Sequence, residues 1–88
     1  MYFILNGHPH RTFRTVINSE RRIDFGNLLA EISRGLGSTI SSLFNFDGVQ
    51  IDDMNQLLEL KEPRVVAVPI GEQLQINGFI HYLKINNI

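Results

Sequence analysis

One segment of this chain carries a helical stripe, and almost everything around it reads as short strand. Phe25, Leu28, Leu29, Ile32 and Leu36 recur at the spacing that places side chains on one face of an α-helix. Asp24 stands just before them, where a carboxylate accepts hydrogen bonds from the free N–H groups of a first turn. Arg34 lies near the other end, where positive charge suits the helix dipole. Gly35 and Gly37 offer the left-handed conformation that ends helices. The spacing predicts a helix from Phe25 to about Arg34. A lone amphipathic helix must lay its stripe on one face of a sheet, and 88 residues leave room for one such domain.

The sheet has to come from the flanking runs. Tyr2-Phe3-Ile4-Leu5 is short, apolar and aromatic, a first strand, and Asn6-Gly7 is a turn signal after it. Pro9 lengthens the connection. Phe13 to Ile17 reads as a second strand, with Phe13, Thr15 and Ile17 on one face and Arg14 and Val16 on the other. Beyond the helix, Leu43-Phe44-Asn45-Phe46 is a third strand, closed by Asp47-Gly48, and Val49-Gln50-Ile51 is a short return. Asp52 or Asp53 caps a helical turn holding Met54, Leu57 and Leu58. Val65-Val66-Ala67-Val68 suits a strand buried on both faces, ended by Pro69 and Gly71.

In the tail, Leu74-Gln75-Ile76, Asn77-Gly78 and Phe79-Ile80-His81 read as a small hairpin. The alternative is a short helix over Phe79 to Ile85 or a segment leading to a further module; the Asn-Gly pair favours the extended reading. The domain is therefore expected over residues 1–76, with 77–88 as a C-terminal tail forming an extra hairpin strand or a linker. The order strand, strand, helix, strand, short helix, strand is that of an α+β, ubiquitin-like β-grasp: a mixed sheet of four to five strands with one main helix. Leu28, Leu29, Ile32, Phe46, Val66 and Val68 are the expected core.

Chemistry is harder to find than architecture. The chain has no cysteine, which excludes disulfides, thiolate zinc sites and cysteine nucleophiles and fits a reducing, intracellular setting. His8-Pro9-His10 offers two imidazoles on a loop, which do not close a tetrahedral metal site. His81 stands alone. Asp47, Asp52 and Asp53 lack the spacing of a calcium loop and suit turns and caps. No nucleophile elbow, P-loop, dinucleotide fingerprint or zinc-protease motif occurs. The expectation is a non-enzyme with no cofactor. No apolar run approaches the ~20 residues of a membrane span, and a strand-like run directly after Met1 does not resemble a secretory leader.

Charge is more informative in its placement than in its total of −1. Residues 1–22 carry Arg11, Arg14, Arg21 and Arg22 against Glu20, together with His8 and His10. Residues 23–63 carry Asp24, Glu31, Asp47, Asp52, Asp53, Glu59 and Glu62 against Arg34 and Lys61. Such segregation steers an acidic partner to one face. The plain alternative is that the arginines keep a sheet edge soluble. Nucleic acid is not expected, because the acidic remainder repels a polyanion from most other faces.

Taken in order, these signals resemble the doublecortin domain family over roughly Tyr2 to Gln75. The likeness rests on Leu5-Asn6-Gly7, the basic connection after Phe13, Asp24-Phe25-Gly26-Asn27-Leu28-Leu29, Leu43-Phe44-Asn45-Phe46-Asp47-Gly48, the return from Val49 to Leu57, and Val66-Ala67-Val68 with Gly71-Glu72. The resemblance implies a ubiquitin-like fold and binding to microtubules in the groove between protofilaments, or to other cytoskeletal or signalling partners. It implies a cytoplasmic, cytoskeleton-associated protein. Arg11, Arg14, Arg21 and Arg22, with His10 second to them, are the expected contact residues for tubulin, and a monomer is favoured. The chain departs from the lysine-rich members of that family in having only two lysines, Lys61 and Lys84. That departure supports the other reading, a β-grasp interaction or scaffold module without direct tubulin contact.

Overall fold

A computed structural model describes residues 1–86. Five strands form a single mixed sheet: β1 (Tyr2–Leu5), β2 (Thr12–Arg14), β3 (Ile40–Phe44), β4 (Gln50–Ile51) and β5 (Arg64–Pro69), in the spatial order β2-β1-β5-β3-β4. The β-branched run lies in the middle. β5 pairs parallel with β1 and antiparallel with β3, and Val65 to Pro69 are all buried. A strand covered on both faces has no use for alternation, which is why this one is continuously apolar.

Helix α1 (Phe25–Leu36) packs its stripe on one face. Leu28, Ile32 and Leu36 meet Phe3, Leu5, Leu43, Val65 and Ala67. Asp24 caps it, its Oδ1 accepting from the Asn27 N–H at 2.7 Å. The helix runs past the expected end at Arg34. Gly35 lies inside it, and Gly37, at φ 71°, is the left-handed terminator whose N–H donates to Ser33 O. Gly35 serves packing instead: a Cβ there would lie 2.1 Å from Phe13 Cδ1. Leu29, expected in the core, is half-buried at the flank of the stripe.

Two further expectations shift. The second strand is Thr12–Arg14 rather than Phe13–Ile17, although Phe13, Thr15 and Ile17 stay half-buried and Arg14 and Val16 exposed, so the alternation outlasts the ladder. The third strand starts at Ile40 and stops at Phe44. Asn45 leaves it because its Oδ1 accepts from the N–H groups of Asp47 and Val49, building the turn around Gly48. A bulge between Ile40 and Ser42 reverses the parity of β3, so Ile40 and Leu43, three apart, both enter the core cluster under α1. Asp53 caps the short helix α2 (Met54–Leu58), of which only Leu57 is fully buried.

The tail is the main correction. Instead of a hairpin, a π-helical turn (Ile76–Ile80) runs into helix α3 (His81–Ile85). Ile80 and Leu83 are buried against Ile4, Phe46, Val66 and Val68 on the sheet face opposite α1, with Phe79 half-buried beside them. The Asn-Gly hairpin cue loses because Phe79, Ile80 and Leu83 share one side of a helix and an apolar sheet face needs covering. The sheet is thus covered on both faces, not by one helix alone.

Two side chains hold this cover. Asn6, 2% exposed, donates from Nδ2 to Gln73 O (2.9 Å) and Glu72 Oε1 (3.3 Å), and its Oδ1 accepts from the Gln75 N–H (3.0 Å). At the far end Arg64 Nη1 donates to Leu83 O and Asn86 O, both at 3.0 Å, and satisfies carbonyls that a helix terminus leaves free. The Arg64 guanidinium also lies 4.7 Å from the Phe46 ring centroid and pairs with Glu62.

Candidate interaction surface

The β1–β2 hairpin forms one edge of the sheet and carries the first of the expected contact residues. Strand register puts Arg14 opposite Tyr2, and Tyr2 opposite Arg64, on the face away from α1. Arg14 is exposed, and its guanidinium carbon sits 5.5 Å from the Tyr2 ring centroid. Burial, and after it the charge of Arg14, hold the Met1 amino group below its ordinary range.

Arg11 reaches the other way. Its Nη2 donates to Leu36 O at 2.6 Å, closing the C-terminus of α1. Arg21 is more committed still. Its Nη1 donates to Thr15 Oγ1 and Val16 O, both at 2.9 Å, and its Nη2 to Glu31 Oε1 at 2.5 Å. This pair is about three-quarters covered on each side (27% and 24% exposed). The Arg21 hydrogen bond, then that of Thr15, hold the Glu31 carboxyl below its ordinary range against the opposing pull of burial. Arg22, next in the same loop, is exposed and makes no side-chain hydrogen bond or ion pair among the described residues. His8 and His10 are exposed in the connection between the strands.

The basic cluster is therefore divided by the fold. Arg11 and Arg21 turn toward α1 and hold structure together, while Arg14 stands on the opposite face. Arg14, Arg22 and His10 stay exposed. Clustering in sequence could not reveal this, because the acceptors, Leu36 O and Glu31, arrive from a helix later in the chain. Tyr2 and Arg64 share this sheet face, Tyr2 exposed and the Arg64 side chain only 13% exposed. The usable signal was parity: Arg64, Val66 and Val68 alternate with the residues under α1 and so must face the other layer.

Among the described residues no group of three or more His, Asp or Glu side chains could hold a metal ion, and no helix is long and apolar enough to cross a membrane. Comparison of the chain with protein-family models, curated proteins and solved structures yields no match.

Proposed function

We propose that this chain is a non-catalytic, doublecortin-like module of the ubiquitin-like β-grasp type that binds an acidic protein surface through its first hairpin, with tubulin as the partner and the cytoskeleton as its place. The observation that carries the reading is the pair of exposed arginines without ion-pair partners among the described residues, Arg14 on β2 and Arg22 in the loop after it. The sheet order β2-β1-β5-β3-β4, with its parallel central pair and one main helix, is compatible with a β-grasp and supports the resemblance. Exposed charges of this kind act by long-range attraction more than by desolvated contact, so binding is expected to be about micromolar or weaker and to fade with salt.

A second reading, an interaction module that does not touch tubulin, is favoured by the engagement of Arg11 and Arg21 within the fold, which leaves half of the arginine cluster structural. Co-sedimentation with polymerised tubulin separates the two. Wild type is expected to pellet at low salt and less so at moderate salt, and Arg14→Glu with Arg22→Glu to stay in the supernatant. Arg21 is unsuitable for this variant, because its replacement strands Glu31. A wild type that never pellets leaves the second reading standing.

A further inference from the structure

The two ends of the sheet are complementary to each other. At the β2 end the antiparallel register, in which Leu5 N–H donates to Arg11 O and Met1 exchanges both bonds with Thr15, turns the backbone groups of Thr12 and Arg14 outward. Arg14 is exposed on this edge strand, Arg22 is exposed in the loop that follows it, and Val16 is 64% exposed just past the strand. At the β4 end the Asn45–Val49 bond places Gln50 likewise outward. There an open groove of about 300 Å³ runs between β4 and the end of α2, with Ile51 and Leu60 in its walls and Glu59 at its rim. Asp52 and Glu59 are exposed and face no cation within 4.0 Å among the described residues, and Asp47 has only Lys84 at that limit.

From this we infer that the hairpin edge of one copy docks against the β4–α2 groove of a second copy of this chain, Arg14 and Arg22 meeting Asp52 and Glu59 and Val16 entering the groove. The inference uses the same hairpin edge as the function proposed above and rests on its being an acid-seeking surface; it adds the partner. Complementary charge at opposite edges selects this occupant over a symmetric pairing. Hairpin against hairpin or groove against groove would bring like charges together. Because the two surfaces are different and lie at opposite ends of the sheet, the contact is head-to-tail and does not close, so copies add in open chains. Each surface is small and wet, and association is therefore weak, in the range of about 0.1–1 mM, and salt-sensitive.

Sedimentation equilibrium on the full chain tests this. At low salt the wild-type mass should rise with concentration past that of a dimer without reaching a plateau, and should fall back to monomer at about 0.3 M salt. Arg14→Glu with Arg22→Glu spoils one end, and Asp52→Lys with Glu59→Lys the other. Each variant alone should remain monomeric. Their equimolar mixture should assemble past a dimer in alternating copies, since the sound hairpin meets the sound groove and the two reversed surfaces are complementary to each other. A chain carrying all four exchanges should assemble again. The groove variant keeps an intact hairpin, so it should pellet with tubulin as wild type does if the tubulin reading holds. Loss of self-association with pelleting retained separates the two claims. A wild type that stays monomeric at low salt, variants that still self-associate, or a mixture that stays monomeric would each overturn the head-to-tail contact.

Discussion

At Gly35 one absent methyl group decides the sign of a substitution. An exposed glycine inside a helix normally gains up to about 1 kcal/mol on becoming alanine. Here the new Cβ would lie 2.1 Å from Phe13 Cδ1, and the ring has β1 and α1 around it. Gly35→Ala is expected to lose about 1–3 kcal/mol by overpacking. Gly26→Ala, whose Cβ would stand 3.5 Å from Asp24 Oδ1 in ordinary contact, should gain up to about 1 kcal/mol. Urea midpoints of both variants check the contrast, and a stabilised Gly35→Ala would show that Phe13 does not hold its place.

Glu31 supplies the prediction for pH. Its folded carboxyl titrates below the ordinary value, so the stabilisation it brings is complete above the unfolded pKa of about 4.3 and is lost as pH falls through the lower folded value. The pair is partly exposed, which keeps it to about 0.5–1 kcal/mol at neutral pH. Glu31→Gln should therefore be less stable than wild type at pH 7 and equal to it in strong acid. An unchanged difference across that range would remove the pair from the account.

At the scale of elements, α1 and the C-terminal cover differ in how firmly they are held. The α1 stripe buries Leu28, Ile32 and Leu36 in one core cluster with seven residues of the sheet, and Leu28→Ala should cost about 2–5 kcal/mol. Leu29→Ala, at a half-buried position, should cost about 1–2 kcal/mol. The cover relies on Ile80 and Leu83, and each of its helical pieces has five residues. Helices that short do not persist without tertiary support. Native-state hydrogen exchange should thus find the amides of α3 opening at lower free energy than those of β5. Asn6→Ala, by releasing Glu72, Gln73 and Gln75, should speed α3 further. Equal protection of α3 and β5 would mean that the cover leaves only with the whole fold.

For the molecule as a whole, cohesion and recognition draw on different forces. Both core clusters are apolar, one on each side of the sheet, whereas the proposed contacts are exposed charges. Salt screens the second and barely touches the first. Between low salt and about 0.3 M the melting temperature should move by only a few degrees while binding through the hairpin disappears. A large fall in melting temperature would instead place a substantial share of stability in the ion pairs of Arg21 and Arg64.

Local chemistry explains what was legible in the chain. The stripe and cap of α1, the Asp47-Gly48 turn and the buried valine strand each depend on residues within a few positions of one another, and the sequence alone determined them, while it left the α2 cap between Asp52 and Asp53. What only the tertiary structure decided involves partners far apart in the chain. Gly35 sits inside the helix, where its missing side chain leaves room for the Phe13 ring. Ile76 to Ile85 is helical because Ile4, Val66 and Val68 present an apolar face, and Asn6 and Arg64 grip the segment's two ends. The four arginines look alike in sequence, and the fold alone separates them, since Leu36 O and Glu31 take two of them and leave Arg14 and Arg22 to the solvent. Hydrogen-bond acceptors and packing surfaces brought in from elsewhere in the chain leave no mark on the residues they will meet.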